Sequence, residues 1–216
     1  LEGRFDFPTI IELKTALNDL PILQLTKTTL LITILAAGTA IGLPPLTLIL
    51  FPSIIGRRLI NIIWGFLRLI PAPLSALLIL FCVNPSFSVA ALALGLYNMG
   101  IMGKLLKESI EKQSKKTLES LVTYGVGKRA AWIYGCLVQE SHGYLAYAAY
   151  RSDVILRETA IVGVVGGAGL GWQLLKESLT SFNWPEVTVL ISIYSVITII
   201  GELISDSIRN NLLANS

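Results

Sequence analysis

Histidine and cysteine are nearly absent from the sequence, which holds one histidine, His142, and two cysteines, Cys82 and Cys136, in 216 residues. A metal centre usually needs three or four such ligands at short spacings, whereas these two cysteines lie far apart in or beside apolar stretches. We therefore expect no metal site and interpret both cysteines as packing residues. A lone histidine in an apolar helix also gives no specific nucleophile-and-base pair, so no catalytic site is predicted.

Charged residues are scarce as well, at 14% of the chain, whereas a soluble domain has about a quarter. Hydrophobic residues make up 53%. The formal net charge of +3 is small, and its placement along the chain matters more than its total. This composition predicts a protein of the lipid bilayer, and we expect no nucleic-acid partner.

Nucleotide-binding motifs are incomplete. Residues 122–129 read Val-Thr-Tyr-Gly-Val-Gly-Lys-Arg, in which Val122 replaces the first glycine of a phosphate loop and Arg129 replaces its serine or threonine. The glycine-rich residues 166–171 do not follow a predicted strand, so a dinucleotide site is not indicated. We expect the chain to need no cofactor and to bind no ATP by itself.

Long apolar stretches are what the sequence does have. A helix needs about 20 apolar residues to cross a bilayer core of about 30 Å. Pro44 and Pro45 should kink or end the first of these stretches. The alternative, a soluble helical bundle, would require uncharged helices buried on every face. The predicted spans are residues 28–51, 59–83, 86–103, 134–156 and 184–204.

The basic residues predict the orientation of these spans. Lys and Arg crowd residues 104–129, and Arg57 and Arg58 lie in the loop after the first span. Because cytoplasmic loops carry an excess of Lys and Arg, we place these loops and the tail, residues 209–216, in the cytoplasm. The N-terminal segment, residues 1–27, is then extracytoplasmic and holds a short amphipathic helix at the membrane surface that ends at Pro21. The connection 157–183 lies on the same outer side.

One polar segment, residues 105–139, interrupts the apolar sequence. Leu118, Leu121 and Val122 recur at spacings of three and four, which predicts an amphipathic helix. Gly125 and Gly127 should then break that helix. A helix, a glycine turn and a second helix between two spans would form a compact surface for docking a cytoplasmic partner. The alternative is a solvated connecting loop.

Several motifs carry a resemblance to a known family. Residues 119–127, Glu-Ser-Leu-x-x-x-Gly-x-Gly, together with residues 134–139, resemble the "EAA" loop of ABC-importer permeases. Residues 68–71, Arg-Leu-Ile-Pro, resemble the Arg-x-Ile-Pro element of their second core helix. Residues 158–171 resemble their glycine-rich stretch before the last helix. The resemblance covers roughly residues 28–208 in the family's order of elements.

The phosphonate branch of that family is the most similar. Residues 97–105, Tyr-Asn-Met-Gly-Ile-Met-Gly-Lys-Leu, and residues 147–151, Tyr-Ala-Ala-Tyr-Arg, look like this branch. The sequence departs from the family pattern at the second and third EAA positions, at the proline expected after the loop's leucine, and at the acidic residue expected after Pro71. The residues at these positions are Ser120, Leu121, Val138 and Ala72.

The resemblance implies an all-α integral membrane protein of the bacterial cytoplasmic membrane, with five core helices in a transmembrane domain, residues 28–208. A cytoplasmic coupling helix would lie between the third and fourth spans, in a coupling loop of residues 104–133. The chain itself would be no enzyme, because ATP hydrolysis belongs to partner ATPase subunits. A second permease copy or sister half and an external substrate-binding protein complete the set of partners.

The implied substrate is phosphonate or a related phosphorus oxyanion. The alternatives are a methionine-type or other small-solute permease, and a non-transporting permease half that acts as a membrane scaffold. We also expect the chain to be a fragment or one half of a longer polypeptide.

Site residues follow in three groups. The resemblance assigns ATPase coupling to Glu119, Ser120, Leu121, Gly125 and Gly127. Polar side chains within spans are costly and tend to face a cavity or a partner. On that ground the candidates for the translocation path are Arg68, Asn98, Arg151 and Asp153. The alternative is that Arg68 pairs with a carbonyl at the end of its span and that Arg151 and Asp153 extend outward. The spacing of glycines predicts close helix packing at Gly163, Gly167 and Gly171.

Overall fold

The computed structural model describes residues 7–51 and 53–214, and every regular element in these ranges is helical. Residues 1–6 of the predicted N-terminal segment, Pro52 of the first loop and residues 215–216 of the tail lie outside the described residues. Two π-helical turns, Ile133–Leu137 and Gln173–Ser178, each continue a short α-helix. The α-helices are α1 Ile10–Asp19, α2 Ile22–Leu50, α3 Ile54–Leu69, α4 Ala72–Leu80, α5 Phe87–Lys112, α6 Lys116–Thr123, α7 Lys128–Trp132, α8 Ser141–Gly166, α9 Gly169–Trp172 and α10 Trp184–Ala214.

The all-helical membrane fold predicted from the sequence is confirmed. Three single helices, α2, α5 and α10, are long and apolar enough to cross a membrane. Two further candidates are pairs of helices with a sharp bend between them, α3 with α4 and α8 with α9 and its π turn. The described part of the chain therefore has three candidate membrane spans, or five if each bent pair counts as one span.

The first bent pair corrects the predicted second span, residues 59–83. Helices α3 and α4 meet at 95° instead of forming one straight span. The bend lies at Ile70 and Pro71. Proline has no N–H to donate and forces the preceding residue out of the helical region, and Ile70 accordingly has φ −96° and ψ 112°. The 16 residues of α3 span about 24 Å and the nine of α4 about 14 Å, so neither crosses a bilayer core alone.

Helix α2 continues through Pro44 and Pro45 to Leu50, so the prolines do not end it. Pro45 cannot donate to the carbonyl of Ile41, four residues earlier in the helix. The hydroxyl of Tyr144 on α8 donates to that carbonyl at 2.7 Å and supplies the missing hydrogen bond. A neighbouring helix thereby satisfies a backbone group that no water reaches in the bilayer.

The second bent pair corrects the predicted connection 157–183. Helix α8 continues ten residues beyond the predicted span end at 156 and ends at Gly167, whose φ of +64° favours glycine. The chain then bends by 60° and folds back as α9. The backbone N–H of Leu170 donates to Thr29 Oγ1 at 2.9 Å, which fixes α9 against α2.

Other predicted ends shift in the same direction. Helix α5 extends to Lys112, so the first part of the predicted coupling loop 104–133 belongs to the third span. Helix α10 extends to Ala214, so the described part of the predicted tail 209–216 is helical. In each case charged residues continue the helix instead of ending it.

The short helix α1 forms as predicted from the sequence. The Thr9 hydroxyl and the Glu12 carboxylate cap its first turn reciprocally. The backbone N–H and the hydroxyl of Thr9 lower the pKa of Glu12 from its ordinary value. Ala16 and Leu20 are buried in a cluster with residues of α9 and α10, while Ile10 and Ile11 remain exposed.

Helix α5 is the centre of the molecule and packs against α2, α3, α4 and α8. Small residues let these helices approach closely. A Cβ atom added at Gly100 would lie 2.7 Å from the backbone oxygen of Trp64 and 2.9 Å from the backbone nitrogen of Arg68. Alanines fill the rest of this interface, and those with no exposed surface are Ala36, Ala40, Ala76, Ala90 and Ala93.

Candidate functional site

A polar cluster of Asn98, Arg151 and Glu158 lies between α5 and α8, with Asn98 fully buried and the other two side chains mostly buried. Asn98 is 0% exposed and donates through Nδ2 to Glu158 Oε2 at 2.9 Å and to the Leu94 carbonyl at 2.9 Å. Arg151 donates through Nε to Asn98 Oδ1, and its Nη2 lies 3.3 Å from Glu158 Oε1. The arginine and glutamate charges offset each other, and the amide joins both.

The positions of these residues follow from helix geometry. Arg151 and Glu158 are seven residues apart in α8, which places them two turns apart on one face. Asn98 lies near the middle of α5, which runs antiparallel to α8 because Ser109 contacts Glu140 at one end and Gly166 lies against Ser86 at the other. A charge inside a bilayer is tolerated when it is paired in this way.

Glu158 was missed among the candidate site residues. In the sequence Glu158 lies in the glycine-rich stretch and outside the predicted span 134–156. Its separation of seven residues from Arg151 on one helix was the available signal. The seven-residue separation places both residues on one helix face only if α8 continues past residue 156. The length of the apolar stretch did not predict this continuation.

Asp153 belongs to a second cluster, on the face of α8 that meets α10. Its Oδ2 lies 2.9 Å from Arg157 Nη2, and the same nitrogen lies 2.9 Å from Glu202 Oε2. Asp153 is 7% exposed, and its Oδ1 has no hydrogen-bond partner among the described residues. The structure therefore separates Asp153 from Arg151, and the alternative that both extend outward is wrong.

Arg68 lies away from both clusters. It is exposed in the last turn of α3 and lines a cavity of about 120 Å³ with Lys104, Lys107 and Glu108 of α5. The four predicted path residues therefore occupy three places: Asn98 and Arg151 are together, Asp153 contacts α10, and Arg68 lies at the basic end of α5.

The predicted coupling residues lie on α6 and in the turn after it. No residue of α6 is fully buried; Glu119 and Ser120 are exposed and Leu121 is half-buried. Gly125 has φ +83°, a left-handed value that ends the helix, and the N–H of Val126 donates to the Leu121 carbonyl at 3.0 Å. These residues form an outward-facing surface that other parts of the described chain do not cover.

Gly127 differs from Gly125. Its φ of −55° and ψ of 138° are accessible to most residues, and a Cβ added there would meet nothing within 4 Å. The expectation that both glycines are needed for unusual backbone angles is therefore wrong at Gly127. The turn depends on Gly125.

Three contacts hold α6 and α7 against the ends of the spans. A Cβ added at Gly135 would lie 3.0 Å from Cα of Leu118, so α6 packs closely on the π turn. Arg129 Nη2 donates to the Ile49 carbonyl at the end of α2 at 2.9 Å. The Arg57 guanidinium of α3 lies 4.5 Å from the centroid of the Trp132 ring. Gly135 does not stand out in the sequence, because its need for a small side chain arises only from the contact with Leu118.

The three glycines of the predicted packing motif do not share one helix. Gly163 lies in α8, Gly167 ends it, and Gly171 lies in α9. A Cβ at Gly171 would lie 2.2 Å from the Ala160 carbonyl oxygen, so the close approach is between α8 and the segment that folds back on it. The three glycines do not form one helix face, because Gly167 turns the chain.

Among the described residues no group of three or more His, Cys, Asp and Glu side chains is arranged to hold a metal ion. The charged pairs described above lie between α5 and α8 and between α8 and α10.

Comparisons with known proteins agree with the helical membrane architecture. Over 140 residues the chain is 36% identical to HtxE of Stutzerimonas stutzeri, a permease named for a phosphite transport system. The aligned region covers 64% of this chain and 53% of HtxE. It is 28% identical over 148 residues to the phosphate-import permease PhnE of Mycolicibacterium smegmatis, covering 68% of this chain and 28% of that one. The chain thus spans about half the length of HtxE and less of PhnE.

A third relative is matched over almost its full length. PhnE2 of Escherichia coli K12, named for a cryptic phosphonate transport system, is 27% identical over 122 residues, which is 99% of PhnE2 and 56% of this chain. A crystal structure of an amino acid ABC transporter with histidines superposes with a TM-score of 0.73 at 21% identity, covering 96% of this chain and 99% of the other. No family model matches the chain.

Proposed function

We propose that the chain is a transmembrane permease of an ABC transport system, and that it forms the permease subunit of an importer for phosphite, phosphonate or a related phosphorus oxyanion. The 36% identity to HtxE carries this proposal. The fold supports it, because the structural neighbour that shares almost the whole architecture is an ABC transporter.

The translocation path in this proposal passes along α2, α5 and α8, beside Asn98 and Arg151. A phosphorus oxyanion offers two or more oxygens to an arginine fork, and such bidentate contacts are strong. Glu158 holds Arg151 at 3.3 Å while no anion is bound. An anion entering the path would compete with Glu158 for the guanidinium, and Asn98 would keep Arg151 oriented during the exchange.

Coupling to ATP hydrolysis is assigned to a cytoplasmic ATPase that docks on α6. The exposed Glu119 offers a negative charge to a basic residue of the ATPase, and the half-buried Leu118 and Leu121 offer apolar contact. An exposed ion pair contributes only about 0–1 kcal/mol, so the apolar contacts matter as much. Gly135 and Arg129 connect α6 to the spans and would transmit its movement to them.

The remaining partners are a second permease copy or sister half, which completes the path, and an extracytoplasmic substrate-binding protein. The membrane is the bacterial cytoplasmic membrane, with α6 on the cytoplasmic side. Lys and Arg support this orientation, because residues 104–129 and Arg57 and Arg58 lie at the same end of the helices.

A second candidate function is a non-transporting permease half that acts as a scaffold. The match to 99% of PhnE2, a relative named for a cryptic system, favours it. In this case the chain would still bind the ATPase or a sister half, but it would move no substrate.

Uptake of labelled phosphite and methylphosphonate tests the proposal. The chain is expressed, with the ATPase and binding protein of its own organism, in a bacterium that lacks uptake of both compounds. We expect saturable, ATP-dependent uptake of at least one of them, reduced strongly by Arg151→Gln. If the assembled complex moves neither compound, the scaffold function replaces this one.

Labelling with an impermeant thiol reagent tests the orientation. Cys82 is exposed at the end opposite α6, so intact cells should be labelled there. In a Cys82→Ser background, Thr180→Cys should be labelled from outside and Ser114→Cys should resist. Rapid labelling of Ser114→Cys in intact cells would reverse the topology.

A further inference from the structure

A basic groove lies between α3, α5 and α7, at the same end of the molecule as α6. Two adjoining cavities form it, one of about 230 Å³ and one of about 120 Å³, and Asn61 and Lys107 line both. The basic side chains of the groove are Arg57, Arg58, Arg68, Lys104 and Lys107. Neither the path nor the coupling surface described above uses the groove.

Two glutamates offset part of this positive charge. Lys104 Nζ lies 3.2 Å from Glu108, and Lys107 Nζ lies 3.7 Å from Glu111, each pair one turn apart on α5. Because the two lysines are paired with glutamates, the net positive charge of the groove comes mainly from its arginines. Arg58 and Arg68 are exposed and make no ion pair with any residue that the structure describes.

A buried donor in the groove also has no acceptor. Trp64 is 1% exposed and lines the smaller cavity, and its Nε1 has no hydrogen-bond partner in residues 7–51 and 53–214. An indole N–H can only donate, and buried polar groups in proteins almost always find a partner. Asn61, three residues earlier on α3, has a buried Oδ1 that likewise lacks a partner among the described residues. The groove therefore combines positive charge with a donor that needs an anionic or neutral acceptor.

Helix α3 carries an apolar stripe next to this groove. Ile55, Leu59, Ile62, Phe66 and Leu69 are all exposed, and their spacing of four, three, four and three places them on one face. Arg58 follows Ile55 by three residues and precedes Ile62 by four, so the basic groove borders the stripe. Such a helix, with a basic edge and an exposed apolar face, is typical of the membrane interface.

We propose that the basic groove binds the phosphate of an anionic phospholipid in the cytoplasmic leaflet, with the acyl chains along the apolar stripe of α3. Basic pockets between membrane helices on the cytoplasmic side suit lipid headgroups. A soluble oxyanion would use the same charges but would leave the stripe uncovered. The assignment to the cytoplasmic leaflet rests on the orientation given in the proposed function. A bound lipid would anchor α3 and, through Arg57 and Trp132, the base of the coupling segment.

Native mass spectrometry of the purified full chain in mild detergent tests this inference. The probes are phosphatidylglycerol, phosphatidylcholine and inorganic phosphate. The groove variant is Arg58→Ala/Arg68→Ala. The matched control is Lys115→Ala/Lys116→Ala, which removes two exposed basic residues at the same end but outside the groove. A third variant, Arg58→Lys/Arg68→Lys, keeps the charge.

We expect phosphatidylglycerol to bind the wild-type chain about tenfold more tightly than phosphatidylcholine, since each basic residue near a lipid surface attracts anionic lipid. The groove variant should lose about tenfold in phosphatidylglycerol affinity, while the control and the lysine variant stay within about twofold of wild type. Unchanged thermal unfolding of the groove variant would show that the loss is local.

Three results would overturn the inference. Equal binding of both lipids would remove the role of charge, and an equal loss in the control would place the lipid elsewhere. Displacement of phosphatidylglycerol by millimolar inorganic phosphate would assign the groove to a soluble oxyanion instead. The measurement needs neither ATPase nor transport. A chain that binds lipid in the groove but transports nothing would therefore contradict only the proposed function.

Discussion

Glu158 and Glu119 have opposite surroundings in the same chain. Glu158 lies between α5 and α8, where Arg151 and Asn98 satisfy its carboxylate. Glu119 lies on the surface of α6, and no side chain of the described residues pairs with it. A charge that is paired within the molecule stabilises the fold, or it is released when a ligand binds its partner in its place. A charge left exposed on a helix that protrudes from the spans is available to another protein.

The largest expected effect comes from breaking the buried pair. Glu158→Ala leaves the Arg151 charge uncompensated, and breaking a buried pair costs about 3–5 kcal/mol. We expect about 2–3 kcal/mol of destabilisation here, because the Glu158 side chain keeps 27% of its surface exposed. Thermal unfolding in detergent measures this change.

The double variant Arg151→Gln/Glu158→Gln removes both charges and keeps amide hydrogen bonds. It should recover at least half of the stability lost in Glu158→Ala. The control is Arg209→Gln, which breaks the exposed pair with Asp206 at 3.1 Å and should change stability by less than about 1 kcal/mol. Equal losses of stability at the two sites would show that the buried pair contributes no more to stability than the exposed pair.

A smaller effect is expected from glycines at and away from the α3–α5 contact. Gly100→Ala places a methyl group against the backbone of Trp64 and Arg68 and should cost about 1–3 kcal/mol. At Gly42 of α2 a Cβ meets nothing within 4 Å, so Gly42→Ala should stabilise the helix by about 0.5–1 kcal/mol. Unfolding temperatures that shift in opposite directions would support the packing, and a neutral Gly100→Ala would contradict it.

The turn after α6 should show a still smaller effect. Gly125→Val forces a β-branched residue to φ +83° and should cost about 1 kcal/mol or more. Gly127→Val meets an extended backbone and open space, so it should be nearly neutral. Transport should fall in the first variant and persist in the second, at equal membrane abundance. Equal transport in both would mean that the turn does not set the position of α6.

Helices α2, α5 and α10 contain three of the long apolar stretches from which spans were predicted, because length and apolar composition are visible in the sequence. The prediction failed at Ile70 and Pro71, since apolar composition continues through the bend and carries no information on its direction. Pro71 was noted in the sequence, but the 95° angle between α3 and α4, which both pack on α5, was not predicted.

The candidate site was only partly predictable. Asn98 and Arg151 were found because polar residues stand out within apolar stretches. Glu158 was missed because charged residues after 156 were interpreted as the end of a span, whereas they pair with Asn98 and Arg151 inside the molecule. Arg157 likewise pairs with Asp153 and Glu202. Such pairings depend on contacts between helices. Spacing along α8 shows which of its residues share a face, but it does not show which residues of α5 or α10 lie opposite them.

Co-purification of the ATPase with the Glu119→Lys variant tests the central claim most directly. The substitution changes an exposed side chain, so membrane abundance and unfolding temperature should stay near wild type. The matched control is Glu177→Lys, an exposed glutamate at the opposite end of the molecule. We predict that Glu119→Lys loses the ATPase and that Glu177→Lys retains it. An ATPase that remains attached to the Glu119→Lys variant, with normal transport, would contradict the assignment of α6 as the coupling element.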